Sequence, residues 1–339
     1  MAQKKILVTG GCGYIGGGLI RKLIDQGYIV KCLDLLIYGD DAIKGLTNNK
    51  NFSLIIGDVR DKKKLDECLK GVDEVVHLAG IVGDKPCEAA PKASYDINYN
   101  ATKTICELAQ KNKVKKFIFA STCSNYGISS YEELAKEDSP FNPVSLYAEA
   151  KIDSENYIKS IANKDFKTFC LRFATAYGVS YRTRFDLTVN SFAYEAFKDK
   201  KISVFAADTW RPYIHVNDIN NIILGMIQKQ KLTENCYIFN AGFSKENFTK
   251  KQIVEKLIKH LPDLEVEYIP LSNDKRNYRV DFTKIEKFLG LKNEFDVSLG
   301  FKEVLDALNT GKIDDKTFKN SNLESLIEFF KKNSKKLEY

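Results

Sequence analysis

Residues 9–16 read Thr-Gly-Gly-Cys-Gly-Tyr-Ile-Gly, directly after the apolar run Ile6-Leu7-Val8 and before the helical spacing Ile15-Leu19-Leu23. A strand must turn sharply into a helix here, and the glycines let backbone approach a ligand closely. Gly10, Gly13 and Gly16 together with Tyr14 and Ile15 form a cradle whose helix N-terminus offers free N–H groups to a pyrophosphate. The next apolar run, Tyr28-Ile29-Val30-Lys31-Cys32-Leu33, ends in Asp34. A carboxylate at that point takes the hydroxyls of an adenosine ribose and repels a 2′-phosphate. Strand, glycine turn, helix and acid together form a dinucleotide-binding fingerprint. The expected cofactor is NAD rather than NADP.

Beyond this opening, apolar segments alternate in character. Strands are expected over 52–56, 74–78, 116–120 and 166–173, with helices over 94–111 and 145–162. That alternation predicts an α/β fold with a doubly wound parallel sheet, its ligands at the C-terminal strand ends. After about Thr175 the pattern loosens into helices near 187–198, 216–229, 251–260, 283–289 and 299–309, mixed with short strands. The expectation is a Rossmann domain over 1–175 and a smaller mixed α/β substrate-binding region over 176–339. The tail beyond 312 carries one further helical stretch, 323–332.

The 339 residues are 44% hydrophobic and 29% charged, with a net charge of +7. These values suit an ordinary globular enzyme. The lysines are scattered, and no basic stripe interleaved with aromatics marks a nucleic-acid groove. Eight cysteines without a C-x-x-C pair and only three histidines predict neither a metal site nor a disulfide framework. No apolar run reaches the roughly 18 residues that span a bilayer. The first strand follows the N-terminus at once, leaving no space for a signal peptide, so a cytoplasmic location is expected.

Tyr147 and Lys151 lie four apart within a helical segment and so share one face. A lysine cation beside a tyrosine is expected to lower its phenol toward working pH, making it a base for a hydroxyl proton. Thr122, at the end of the 116–120 strand, can hydrogen-bond the same reacting oxygen, while Ser121 is structural or faces the cofactor.

With these residues the chain resembles the extended short-chain dehydrogenase/reductases, and within them the nucleotide-sugar epimerases and dehydratases. The resemblance runs from about Lys4 to Lys312. Besides the glycine cradle it rests on Gly57-Asp58-Val59-Arg60-Asp61, His77-Leu78-Ala79, Ser121-Thr122-Cys123-Ser124-Asn125-Tyr126-Gly127, Tyr147-Ala148-Glu149-Ala150-Lys151, Leu171-Arg172-Phe173 and Arg211-Pro212-Tyr213-Ile214-His215-Val216-Asn217-Asp218. It implies that Asp58 and Val59 cover the adenine, and that Leu78, Ala79 and Gly80 pass along the cofactor. It places Asn98 near the catalytic centre and makes Thr122, Tyr147 and Lys151 the catalytic set, with Lys151 also on the nicotinamide ribose. Arg211 would clamp the substrate's phosphates, and Arg276 would make a second nucleotide contact. His215 and Asp218 read as a turn pin and a helix cap. Ile105, Leu108, Tyr157 and Ile161 permit the family's four-helix dimer or a higher oligomer.

Departures from the family narrow the chemistry. Dehydratases follow the catalytic threonine with Asp-Glu; here Cys123-Ser124 follows, which disfavours dehydration. The 3,5-epimerising branches carry a cysteine where this chain has Ser124, with Cys123 one place away. Chemistry at C4 remains: oxidation of the hydroxyl to a ketone, then re-reduction as a 4-epimerase or release as a 4-dehydrogenase. Val82 and Cys87, within 81–87, should border the sugar, and Arg184 and Asn190, within 182–190, the nucleotide. Thr175 replaces a common Asn, altering the phosphate contacts. These segments look similar to a bacterial surface-polysaccharide branch that includes GDP-heptose 4-dehydrogenases, which keep NAD bound and regenerate it with a second substrate. The implied partner is a GDP- or UDP-linked sugar. An NADPH-consuming reductase and a non-catalytic NAD-binding scaffold are the alternative readings.

Overall fold

A computed structural model describes residues 3–128, 133–270, 276–313 and 322–333. In chain order the first half contains β1 (Lys5–Thr9), α1 (Gly16–Asp25), β2 (Ile29–Asp34), β3 (Phe52–Ile56), α2 (Lys62–Leu69), β4 (Glu74–His77), α3 (Asp84–Ala89), α4 (Pro91–Tyr95), α5 (Ala101–Lys111), β5 (Lys116–Thr122), α6 (Leu146–Ile161) and β6 (Lys167–Phe173). The second half contains β7 (Thr175–Tyr177), α7 (Thr188–Asp199), β8 (Lys201–Phe205), β9 (Trp210–His215), α8 (Val216–Gln228), β10 (Cys236–Ala241), β11 (Asn247–Thr249), α9 (Lys250–Ile258), β12 (Glu265–Ile269), α10 (Thr283–Leu289), α11 (Val297–Asn309) and α12 (Asn322–Asn333).

The main sheet has seven strands in the order β10-β6-β5-β4-β1-β2-β3. Every pairing in it is parallel. A parallel strand is covered on both faces and reads as a continuous apolar run. Ile6, Leu7 and Val8 of β1 are accordingly all fully buried. One face carries α1 and α8 over a core that includes Leu19, Leu23, Ile219 and Ile223. The other carries α2, α5 and α6 over Leu65, Ile105, Phe117 and Ile158. Strand order reverses between β1 and β4, and this opens the crevice in which doubly wound folds bind ligands.

The expected boundary at 175 is not where the layers divide. β10 pairs with β6 from Cys236↔Thr168 to Ala241↔Phe173, and α8 packs against α1. Residues 216–241 therefore complete the dinucleotide-binding layer. The rest of the second half forms a lobe around α7, α9 and α11, with its own core of Val189, Ile253, Phe301 and Val304. A three-stranded sheet, β11-β9-β7, and the β12-β8 pair accompany it.

The helix expected over 94–111 is broken. Pro91 starts α4, a π-turn covers Asp96–Asn100, and α5 follows. The tail helix α12 lies on α3 and buries Leu326 in the adjoining core. No described helix is long and apolar enough to cross a membrane.

Candidate active site

A cavity of about 1250 Å³ opens at the C-terminal ends of β1, β2, β4, β5 and β6. That exceeds the usual volume of a single small-molecule site, roughly 300–1,000 Å³, and leaves space for two ligands. Gly10, Gly13, Tyr14, Ile15 and Gly16 form one wall. Gly10 has φ +71°, and a Cβ there would lie 2.6 Å from the Ala79 backbone nitrogen. A Cβ at Gly16 would lie 2.5 Å from Gly11 backbone. Neither position accepts a side chain. The N–H groups of Tyr14 and Ile15 have no partner among the described residues. Unpaired donors at the N-terminus of α1, on a wall kept bare of side chains, fit a pyrophosphate.

Asp34 fixes this wall. Its carboxylate accepts the Cys12 N–H at 2.9 Å and the Leu36 N–H at 2.8 Å, so it ties the glycine turn to the end of β2. Burial raises its pKa, opposed by those two donors and by Arg182. Asp58, Val59, Leu78, Ala79 and Gly80 line the same half. Asp58 pairs with Arg60 at 2.7 Å. His77 sits behind the floor, bonded to Thr9 Oγ1 at 2.6 Å and Thr102 Oγ1 at 3.0 Å. Burial lowers its pKa to about 3, so it is neutral and joins β1, β4 and α5.

Ser121, Thr122, Ser124, Tyr147 and Lys151 all line the cavity. Ser145 caps α6, accepting the Ala148 N–H at 3.3 Å, and so sets the turn that carries Tyr147. Lys151 Nζ donates to Ala120 O at 2.8 Å and lies 4.5 Å from the Phe119 ring centre. Ser121 Oγ donates to the buried carboxylate of Glu155, which also binds Arg172 at 2.7 Å. Ser121 thus holds this network behind β5 as well as touching the cavity.

The expected lowering of Tyr147 by Lys151 is outweighed by burial. Burial pushes the phenol above its ordinary range, and Arg184 is the cation that opposes it. Burial pushes Lys151 down to about 8. The lysine is 5.8 Å from the tyrosine ring centre, and both groups have lost their water.

The second lobe supplies Thr175, Arg184, Arg211 and Arg276, and the loop after β4 supplies Val82. The arginines have internal partners. Arg184 forks onto Asp186 at 3.0 and 2.7 Å. Arg276 pairs with Asp84 at 3.2 Å. Arg211 Nη1 donates to Trp210 O at 2.7 Å and to Arg276 O, which makes it the support of the 276 segment as well as a lining residue.

Three expected site residues stand behind the wall rather than on it. Cys87 is fully buried, its thiol donating to Ile81 O at 3.4 Å; burial raises its pKa to about 11. Asn98 is spent on Ile81, accepting its N–H and donating to its C=O, both at 2.9 Å. The π-turn presents it to that loop. Asn190 bonds both backbone groups of Gly178 and the carbonyl of Arg184. Each of the three shapes a loop that does line the cavity.

His215 and Asp218 are structural, as expected. His215 caps α8 and bonds Glu303 at 2.8 Å, while Asp218 accepts the Phe295 N–H at 3.4 Å. Cys123 is also buried, its thiol on Arg172 O at 3.0 Å.

Tyr38, Asp84, Lys85, Glu88, Arg182 and Lys250 line the cavity without having been singled out from sequence. They come from four separate segments, the loop after β2, α3, the β7–α7 connection and the start of α9, of which those holding Asp84 and Arg182 are the ones expected at the site. Altogether seven basic and five acidic side chains line it. The surplus of two positive charges suits a diphosphate.

A sequence profile described as the NAD dependent epimerase/dehydratase family matches residues 6–242. A Methanocaldococcus jannaschii protein described provisionally as a UDP-glucose 4-epimerase is 31% identical over 89% of this chain and 97% of its own length. The low-salt glycan biosynthesis protein Agl12 of Haloferax volcanii is 25% identical over 89% of this chain and 97% of its own. Among solved structures, the UDP-glucuronic acid 4-epimerase of Bacillus cereus, in complex with UDP-glucuronic acid and NAD, has a TM-score of 0.81 at 24% identity. It covers 90% of this chain and 99% of its own.

Proposed function

The chain belongs to the NAD dependent epimerase/dehydratase family, and from that premise we propose that it oxidises the C4 hydroxyl of a nucleotide sugar through a 4-keto species. It is an NAD-dependent enzyme of the nucleotide-sugar epimerase/dehydratase type. The observation that carries the finer reading is the convergence of Thr122, Tyr147 and Lys151 on a cavity large enough for a dinucleotide and a sugar nucleotide.

In this reading the glycine turn, Asp34, Asp58 and Val59 hold NAD. When bound, the oxidised dinucleotide supplies a hydride acceptor and a positive charge on its nicotinamide ring. Burial raises the Tyr147 phenol, and Arg184 opposes that rise. Tyr147 then takes the C4 hydroxyl proton, Thr122 Oγ holds the same oxygen, and Lys151 supports the ribose and the phenolate. The positions of the thiols argue against an alternative base. Cys87 and Cys123 are both buried behind the wall with raised pKa values. Ser124 on the cavity is no acid, so elimination of water lacks its catalyst.

Arg184, Arg211 and Arg276 are assigned to the diphosphate of a UDP- or GDP-linked sugar. The relationship to Agl12 supports a place in glycan or surface-polysaccharide sugar synthesis. A homodimer through α5 and α6 is also part of this reading. Ile105 is spent on the sheet, which leaves half-buried Leu108, Tyr157 and Ile161 for the contact.

The first test is to denature the purified protein and quantify released nicotinamide and its oxidation state. Near-stoichiometric NAD or NADH supports a closed redox cycle: a 4-epimerase, or a 4-dehydrogenase reset by a second substrate. An empty protein that consumes added NAD with UDP- or GDP-hexoses favours a simple dehydrogenase. No turnover of either sugar nucleotide in both forms would overturn the C4 assignment. Sedimentation equilibrium on the same preparation checks the dimer.

A further inference from the structure

The segment between β7 and α7, residues 178–187, does more than present Arg184. Its turn is closed on itself: Thr183 Oγ1 accepts the Ser180 N–H at 3.1 Å and donates to Ser180 O at 2.9 Å. The closed turn is then fastened to the dinucleotide-binding layer at three points. Ser180 Oγ donates to Tyr14 O at 2.5 Å, while Tyr14 Oη donates back to Gly178 O at 2.7 Å. The Arg21 guanidinium lies 3.6 Å from the Tyr181 ring centre. Arg21 is itself fixed on α1 by the carbonyls of Gly17 and Ala42. The Arg182 guanidinium lies 3.8 Å from the Tyr38 ring centre.

Tyr38 and Arg182 both line the cavity, Tyr38 from the loop after β2 and Arg182 from the second lobe. Their contact bridges the loop after β2 and the second lobe near Asp34, where the adenosine half of a dinucleotide would lie. Tyr181 is not a lining residue and is 55% exposed, so its ring contributes to closure without touching the site.

We propose that residues 178–187 form a clasp over the dinucleotide, held by the Arg21–Tyr181 and Tyr38–Arg182 stacks, so that NAD enters and leaves only when the clasp lifts. The proposal rests on the reading of this cavity as the NAD site. A clasp slows passage in both directions. A residue that merely touches the ligand slows only departure.

The experiment follows NAD exchange in wild type, Tyr181→Ala and Tyr181→Phe. Dissociation is read by chasing bound NAD with excess fluorescent 1,N6-etheno-NAD. Association is read with protein stripped of nucleotide. A cation–π contact at an exposed site is worth about a two- to fivefold effect. Tyr181→Ala should accelerate association and dissociation by similar factors near that size, with Kd little changed, and Tyr181→Phe should stay near wild type. Acceleration of dissociation alone, or no change in either rate, overturns the clasp while leaving the NAD site intact. A wild type that binds no dinucleotide overturns both. Tyr181 is exposed, and a matched thermal melt checks that the variants stay folded.

Discussion

Tyr147 and Lys151 illustrate how spacing and environment answer different questions. Their separation puts both on one helical face, and both side chains line the cavity, the Lys151 ammonium 5.8 Å from the Tyr147 ring centre. Their protonation is decided by burial, which raises the phenol and lowers the ammonium to about 8. Replacing Tyr147 by Phe should leave NAD bound but lower turnover by about 10²–10⁴, the usual worth of general acid–base catalysis; wild-type turnover in single-turnover assays would exclude Tyr147 as the base. Lys151→Met should behave differently. With its folded pKa depressed below the unfolded 10.5, Lys151 binds fewer protons folded than unfolded between pH 8 and 10.5. Its cost is therefore fully present below pH 8 and relieved as pH rises through that window. The methionine variant of the nucleotide-free protein should melt higher at pH 7, by roughly 3 kcal/mol of stability at most. The gain should shrink toward pH 10. A variant less stable at pH 7 would mean that the Ala120 hydrogen bond outweighs the desolvation.

At the level of elements, short connections aim the chemistry. Ser145 starts α6 two residues before Tyr147, and its hydroxyl is the cap that fixes the first turn. Ser145→Ala should cost about 1 kcal/mol of stability, the typical loss for a cap. It should also lower kcat more than it raises KM for the sugar nucleotide, because the displaced phenol acts only in the transition state. An unchanged kcat would show that packing alone positions Tyr147. The π-turn before α5 plays the same part for the loop after β4. By bulging the helix it turns Asn98 toward Ile81, and both backbone groups of that residue are then satisfied. The segment reads as helical periodicity, so the turn and the role of Asn98 become visible only with the neighbouring loop in place.

For the whole molecule, the two layers are joined around buried carboxylates. Asp218 on α8 accepts the Phe295 N–H, and Glu246 accepts the Val297 N–H at the start of α11. Burial raises Asp218 to about 6 and Glu246 to about 7. Raised carboxylates bind more protons folded than unfolded. Their contribution to stability is complete below pH 4 and is lost as pH rises through 6 and 7. Asp218→Asn with Glu246→Gln stays neutral throughout, so its Tm relative to wild type should climb between pH 4 and 8. A constant offset would show that neither group titrates in this window.

Local chemistry alone determined the glycine turn, Asp34, the alternation of strands and helices through the six strands up to β6, and the placing of Tyr147 and Lys151 on one helical face. In each case the signal lies within a few residues: a bare backbone, an apolar run, or a helical spacing. The tertiary structure decided what depends on segments far apart in the chain. It drew α8 and β10 back into the first layer because β6 would otherwise leave an open edge. It set Cys87, Asn98 and Asn190 behind the wall because loop backbone there needed hydrogen-bond partners. It also brought Arg182 onto Tyr38 and Asp84 onto Arg276, contacts between loops that no periodicity encodes.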